Sequence, residues 1–522
     1  MSGRHTSGLN PPAARRIIVP IVMFARFYSF LRVSGACSLS LPLVSAVSSA
    51  ELPVVPGKSG FVCSGKPFVS PSGDSSVAVS EVTDPESAKT GYEAFRERLN
   101  AQVKANIYDF CPAMTIVYNS LGDELAFEPW MERAAKEGNP AAIQFVCNRK
   151  ARFLTAKTAM SAEAKECFAQ MKKAAESGYD PAVISLYLFM SQGIGTPANA
   201  EAAGKFIFSA CKSGSFMPRH RWLIASGRLN SFEDRNLPEV RSEVERGNDM
   251  VIYELSRRAT KAEDQLAWLR AAAEKGNAQA LHDLAFAFST TNPEAGYKLL
   301  QDAVKLHNPH ALFALGQLFV ATPEQLSDPA KKLNIQRDIP NGLRLIKIAS
   351  MTMEDRACFW LGRAYFNGDF TLPKDTERAF QHFRNGMILE SVPAAAAAGY
   401  MMARGLGCEK DTHQGIALLV EASGRNYAHA LVLLAKLQCE GIGGIKRSAL
   451  EASFKLQEAA ALGDKEAFLY LAVLYALGGP ELQRDSTRAE HYLNLAKQDL
   501  GDAEAQRRYD AMIASGTWEP TP

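Results

Sequence analysis

Much of the chain repeats one pattern of apolar and small residues. From Ala357 to Gly368, "ACFWLGRAYFNG", an alanine is followed by Leu361-Gly362, Tyr365 and Gly368. The pattern is A-x3-L-G-x2-Y-x2-G. Copies open at Ala394 (Ala398-Gly399, Met402, Gly405), Ala430 (Leu434-Ala435, Gly441), Ala467 (Leu471-Ala472, Leu474-Tyr475, Gly478) and Ala311 (Leu315-Gly316, Phe319), with a looser one at Ala182. Apolar residues four and eight apart lie on one helical face. Small residues at the fifth step (Gly316, Gly362, Gly399, Ala435, Ala472) predict a closely approaching partner helix.

That partner is the second half of each unit. Amphipathic runs follow each glycine turn, as in "ERAFQHFRNGM" from Glu377, "GIALLVEASG" from Gly415 and "FKLQEAAALGD" from Phe454. Several runs end in Gly-Asn or Gly-Asp (Gly138-Asn139, Gly276-Asn277, Gly463-Asp464, Gly501-Asp502), a left-handed C-cap followed by a residue able to cap the next helix. The opening alanines Ala357, Ala394, Ala430 and Ala467 lie 37, 36 and 37 residues apart. Ala311 to Ala357 is longer, with the excess in "TPEQLSDPAKKLNIQ", read as a loop insertion. Two or three degenerate units are expected between Ala182 and Ala280, with boundaries unset over 216–279.

A lone hairpin of this length cannot shield its apolar face, so neighbours must stack into a one-dimensional array. The motif, with an aspartate after the turn (Asp375, Asp411) and a Gly-x-Gly turn at Gly193-Gly195, Gly405-Gly407 and Gly441-Gly443, resembles the Sel1-like repeat, a relative of the tetratricopeptide repeat. The resemblance covers about 128–516 and implies an all-α, right-handed superhelical solenoid of helix-turn-helix units of about 36–40 residues. It also implies a scaffold that binds a protein or peptide partner. Before it the sequence predicts a helical cap over 91–127, starting near Tyr92, and after it a tail over 517–522.

Composition narrows the setting. Residues 1–50 hold five arginines and no acid; the remainder carries a net charge of −3, which gives no electrostatic footprint for nucleic acid. The segment from Met23, basic at its start and ending in Ser48 and Ala50 before Glu51, reads as an export signal, with Met23 as an alternative start. The expected location is periplasmic or secreted; an uncleaved membrane anchor or an organellar transit sequence are the alternatives. Residues 51–90, rich in Pro, Ser and Gly, read as a linker. Eight cysteines lie beyond residue 50 without a C-x-x-C pair, so they suit disulfides or buried single thiols.

No catalytic motif, cofactor site or metal site is expected. The chain has no H-E-x-x-H, G-x-S-x-G or phosphate-loop sequence, and "GIGGIK" at Gly441 follows a helix rather than a strand. His307 and His310 in "LHNPHA" lack nearby further ligands. Some cysteine-rich members of the resembled family bind or hydrolyse β-lactams, which makes a cell-wall or polysaccharide ligand the second functional reading. "SACK" (Ser209–Lys212) and "KTG" (Lys89–Gly91) stand in the reverse of the order of serine β-lactamases, however, with no S-D-N between. The remaining candidate is a surface. In such arrays the first helix of each unit lines the concave side. Places two, five, nine and twelve of that helix select Arg356, Phe359, Arg363 and Phe366. In neighbouring units they select His310, Phe313, Gln317, Tyr400, His429 and Lys436. Aromatics beside arginines suit contact anchors.

Overall fold

The structure is a computed structural model. It describes residues 85–520 apart from 106–109, 153, 155–157, 213, 215, 324, 353 and 519. The expected signal and most of the expected linker lie outside these residues. Among the described residues the chain is all-helical, without strands.

Three helices come first: α1 (Pro85–Ala105), α2 (Cys111–Leu121) and α3 (Glu128–Lys136). Helical hairpins follow. They are α4 (Pro140–Ala151) with α5 (Ala162–Glu176), α6 (Asp180–Gln192) with α7 (Ala200–Cys211), α8 (Phe216–Ala225) with α9 (Pro238–Glu245) and α10 (Asp249–Arg258) with α11 (Ala262–Glu274). Next are α12 (Ala278–Phe288) with α13 (Pro293–Lys305), then α14 (Pro309–Val320), a short α15 (Asp328–Lys331) and α16 (Ile339–Met351). The best-matched units are α17 (Asp355–Asn367) with α18 (Thr376–Ile388), α19 (Val392–Arg404) with α20 (Thr412–Gly424), α21 (Ala428–Glu440) with α22 (Ala449–Ala461) and α23 (Ala467–Leu477) with α24 (Ser486–Leu500). The array ends on α25 (Asp502–Ser515).

Three boundaries differ from the sequence reading. Helix α1 starts at Pro85, inside the expected linker, with a proline at the position where its missing N–H costs nothing. The degenerate stretch resolves into two units, α8/α9 and α10/α11, shortened by a 3-10 turn over Phe232–Asn236. The insertion between α14 and α16 carries the single turn α15 rather than a bare loop.

The small residues act as expected. A Cβ on Gly399 would lie 2.8 Å from the Gly415 carbonyl, and one on Gly415 2.4 Å from the Gly399 carbonyl. Backbones of α19 and α20 therefore touch, and α14 crosses α16 the same way at Gly316 and Gly342. The Gly-x-Gly turn has a second purpose. Gly407 adopts φ +67°, and a Cβ there would meet the Thr376 carbonyl oxygen at 2.1 Å. The turn thus rests on the start of the preceding unit's second helix. Gly195 on Ala164 and Gly443 on Thr412 repeat the contact, so Gly443 of "GIGGIK" serves unit-to-unit packing.

Caps fix the ends. Asp375, Asp411 and Asp485 each accept the backbone N–H three residues on, at 2.9, 3.0 and 2.9 Å. Asn139, Asn277 and Asn308 do the same for first helices. Asp464 caps α23 through the N–H groups of Glu466 and Ala467. Asp502 departs from expectation: it is the first residue of α25, and Gly501 stands at the cap. Six described cysteines, Cys147, Cys167, Cys211, Cys358, Cys408 and Cys439, are free thiols. A hydrogen bond that Cys147 donates to Cys167, with burial, pushes the Cys147 thiol up.

Candidate interaction surface

First helices of successive units pack against one another, as α4 does on α6, α19 on α21 and α23 on α25. Their second helices make no comparable contact, so the array bends toward the first helices. Polar bridges run along the N-terminal ends of these helices and join unit to unit. Asn277 Nδ2 donates to Asp249 at 2.9 Å, Asn308 Nδ2 to Gln279 at 3.1 Å and Arg508 to Glu466 at 2.8 Å. His310 lies 2.9 Å from Glu354 and His429 2.8 Å from Asp464.

The ten residues selected from the sequence divide on this face. Arg356, Arg363 and Gln317 are exposed; Phe359, Phe366, His310 and His429 are half-buried. Arg356 reaches Glu354 at 2.7 Å and lies over the Phe313 ring. Three were expected to be open and are not. Phe313 and Tyr400 are buried in their clusters, because the inner curve brings neighbouring first helices together over these positions. Lys436 is only 3% exposed, because the chain's own C-terminus covers it.

That covering defines a register the sequence reading missed. After Gly516, in the left-handed conformation, the chain turns back onto the array. Trp518, 4% exposed, packs on the Tyr470 ring with centroids 4.9 Å apart. Lys436 Nζ donates to the Trp518 carbonyl oxygen and, at 3.2 Å, to the Thr517 hydroxyl. Lys436 is place nine of α21, six residues after its opening Ala430, and Tyr470 of α23 stands three residues after the opening Ala467, which is place six in the same register. The same two places meet in the first full hairpins, where Asn148 of α4 donates to Ser185 of α6 at 3.0 Å. The seat for Trp518 is therefore a junction that recurs between units. The sequence marks place nine, but nothing in the repeat motif singles out place six, whose occupants range from Ala314 to Trp360 and Tyr470.

A second self-contact closes the array. The turn between α2 and α3 carries Asp123 and Glu124 onto α16, α17 and α18, more than 200 residues later. Arg378 donates to both Asp123 carboxylate oxygens, at 3.0 and 2.9 Å. Glu124 is 1% exposed; it accepts from the Tyr365 hydroxyl at 2.7 Å, and lies 3.2 Å from both His382 Nε2 and Lys347 Nζ. His382 stacks on Tyr365 at 5.5 Å. Burial pushes the Glu124 carboxyl up, but the His382 and Tyr365 hydrogen bonds and the Lys347 charge outweigh it and hold it well below the usual carboxylate range. Burial and the Glu124 charge push the Tyr365 phenol up to about 12. The motif tyrosine is legible in the sequence as core, whereas its acidic partner is not.

Ahead of both contacts along the array lies a cavity of about 640 Å³ at α12, α13, α14, α17 and the insertion. Among the described residues no group of three His, Cys, Asp or Glu is placed to hold a metal ion, and no described helix is long and apolar enough to cross a membrane.

This architecture defines a helical-hairpin repeat array whose inner face is formed by first helices. The family model named Sel1 repeat matches residues 266–277, 355–385, 392–427, 428–464 and 466–498, so the chain carries Sel1 repeats. Among solved structures it is similar to a protective antigen of uropathogenic Escherichia coli strains displaying an SLR fold, at 16% identity over 80% of this chain and 90% of that one, with a TM-score of 0.40. It is also similar to a Sel1 repeat protein from Oxalobacter formigenes, at 19% identity over 50% of this chain and 99% of that one, with a TM-score of 0.34. No curated protein matches it.

Proposed function

We propose that the chain is an exported scaffold that binds a protein or peptide segment along its first-helix face. Sel1-repeat proteins are generally interaction scaffolds. The observation that carries the reading is the seating of Thr517 and Trp518 between Lys436 and Tyr470. A non-helical segment, with one aromatic side chain and one carbonyl recognised, already rests on this face. Arg356, Arg363 and Gln317 supply exposed polar groups on the first helices of earlier units, and aromatic and arginine anchors are the residue types that dominate interface energies. The acid-free, arginine-bearing N-terminal segment supports export.

Proximity labelling from the full chain in its native cell tests both parts. The reading predicts a reproducible set of neighbours on the far side of the inner membrane, and a mature N-terminus at Glu51. Neighbours no different from those of a freely diffusing control would contradict the scaffold, and a cytosolic set would contradict export.

A further inference from the structure

The Trp518 seat is one of a series. Its elements are place nine of one first helix and place six of the next, Lys436 and Tyr470. The equivalent pairs earlier in the array are Phe286 with Ala314 and Gln317 with Trp360. All four of these residues line the 640 Å³ cavity. Two consecutive junctions of the kind that receives Trp518 therefore open into one space, and no described segment of the chain fills it.

Three features distinguish this space from the other junctions. Place six is alanine in α14, so the wall that Tyr470 forms at the tail seat recedes here. The insertion after α14, the one long departure from the repeat length, supplies a wall through Leu326, Ala330 and Leu333. At the rim stands Phe286, 73% exposed, more open than any other large hydrophobic residue among those described. Such exposure of a phenylalanine costs solvation free energy that a partner's cover would recover.

The lining also states what the occupant must be. Among the described residues it contains no Asp, Glu, Lys or Arg. A charged side chain entering it would lose hydration without a counter-charge. The polar groups present include the Gln317 amide and the Ser289 hydroxyl, which can bond a peptide backbone but cannot neutralise an ion. The volume lies within the range of about 300–1,000 Å³ typical of ligand sites, and exceeds one side chain.

We propose that this cavity receives an uncharged segment of the protein partner, seating an aromatic side chain in the space into which the Phe286/Ala314 and Gln317/Trp360 junctions open, as the tail seats Trp518 at Lys436/Tyr470. The proposal rests on the scaffold reading and names the part of the face that selects the partner.

The test uses the purified full chain and a capped, uncharged hexapeptide, acetyl-Gly-Thr-Trp-Gly-Pro-Thr-amide, followed by calorimetry. Saturable binding at one site is expected. Ala314→Trp, which fills the cavity, weakens it by about tenfold or more, and Phe286→Ser weakens it several-fold, as hot-spot truncations do. Because Phe286 points into solvent, Phe286→Ser leaves the thermal melt unchanged and guards against a loss caused by misfolding of Ala314→Trp. Lys436→Ala, at the tail seat, leaves binding intact. Replacing the peptide's Trp by Ala or by Lys abolishes it. Absence of saturable binding overturns the proposal, as does binding that survives both cavity variants or vanishes in Lys436→Ala. The peptide result is decided on purified protein, whether or not proximity labelling finds partners in the cell. Failure of this site and failure of the scaffold reading are thus separate outcomes.

Discussion

Glu124 shows how much one side chain can bear in this array. Its carboxylate is buried against Lys347, Tyr365 and His382. Removing one partner of such a group strands the others away from water, so Glu124→Gln is expected to cost about 3 kcal/mol in urea unfolding. The pH dependence has a defined sign. The folded carboxyl titrates below its unfolded value of about 4.3, so its stabilisation is complete above that value and is lost as pH falls through the folded one. The stability gap between wild type and Glu124→Gln should be flat above about pH 5 and shrink below about pH 4. A gap that widens on acidification would contradict this assignment. In the sequence, "GDE" after α2 reads only as a polar turn. Its partners lie more than 200 residues away, and local periodicity carries no information about that distance. Lys436 teaches a related lesson: helical phase selects it as a surface position, but phase cannot foresee that the tail returns to cover it.

At the scale of the element, the sequence was most informative where the physics is local. Glycine at the fifth step announces close helix crossing, and α19 and α20 meet at Gly399 and Gly415. Gly415→Ala should therefore cost about 1–3 kcal/mol by forcing the two helices apart. In contrast, Gly424→Ala, where an added Cβ meets nothing within 4 Å, should be neutral or slightly stabilising. Comparing the two melting temperatures separates packing from helix propensity. The caps were equally legible, since Asp or Asn three residues before an amide is a local signature. Asn277 also donates across the unit boundary to Asp249. Asn277→Ala should thus lose both a cap and a bridge, about 1–2 kcal/mol, against about 1 kcal/mol for Asp411→Ala, for which only the cap is in place. The units between 216 and 274 were obscured because their hairpins are short and a 3-10 turn replaces the Gly-x-Gly connection. The insertion after α14 was read as a departure from the repeat, and its length alone could not show that it walls a cavity.

For the whole molecule, the array turns two of its own segments back onto itself. The Asp123–Glu124 turn ties the start of the array to its middle, and Trp518 covers its end. Ending the chain at Gly516 should expose Tyr470 and Lys436 and lower stability by about 2 kcal/mol, the scale of burying one large aromatic side chain. Quenching of Tyr470 by added acrylamide would report the opened seat. Neither segment fills the cavity that α12, α13, α14 and α17 line, and there the account places recognition of a partner. Its most direct measurement is site-specific photo-crosslinking in the native cell, with a photoreactive residue at Gln317, at Phe286, or at Glu421 on the exposed side of α20. The account predicts adducts to the same partner from Gln317 and Phe286, lost on adding Ala314→Trp, and none from Glu421. Adducts of equal yield from all three positions, or from Glu421 alone, would contradict it.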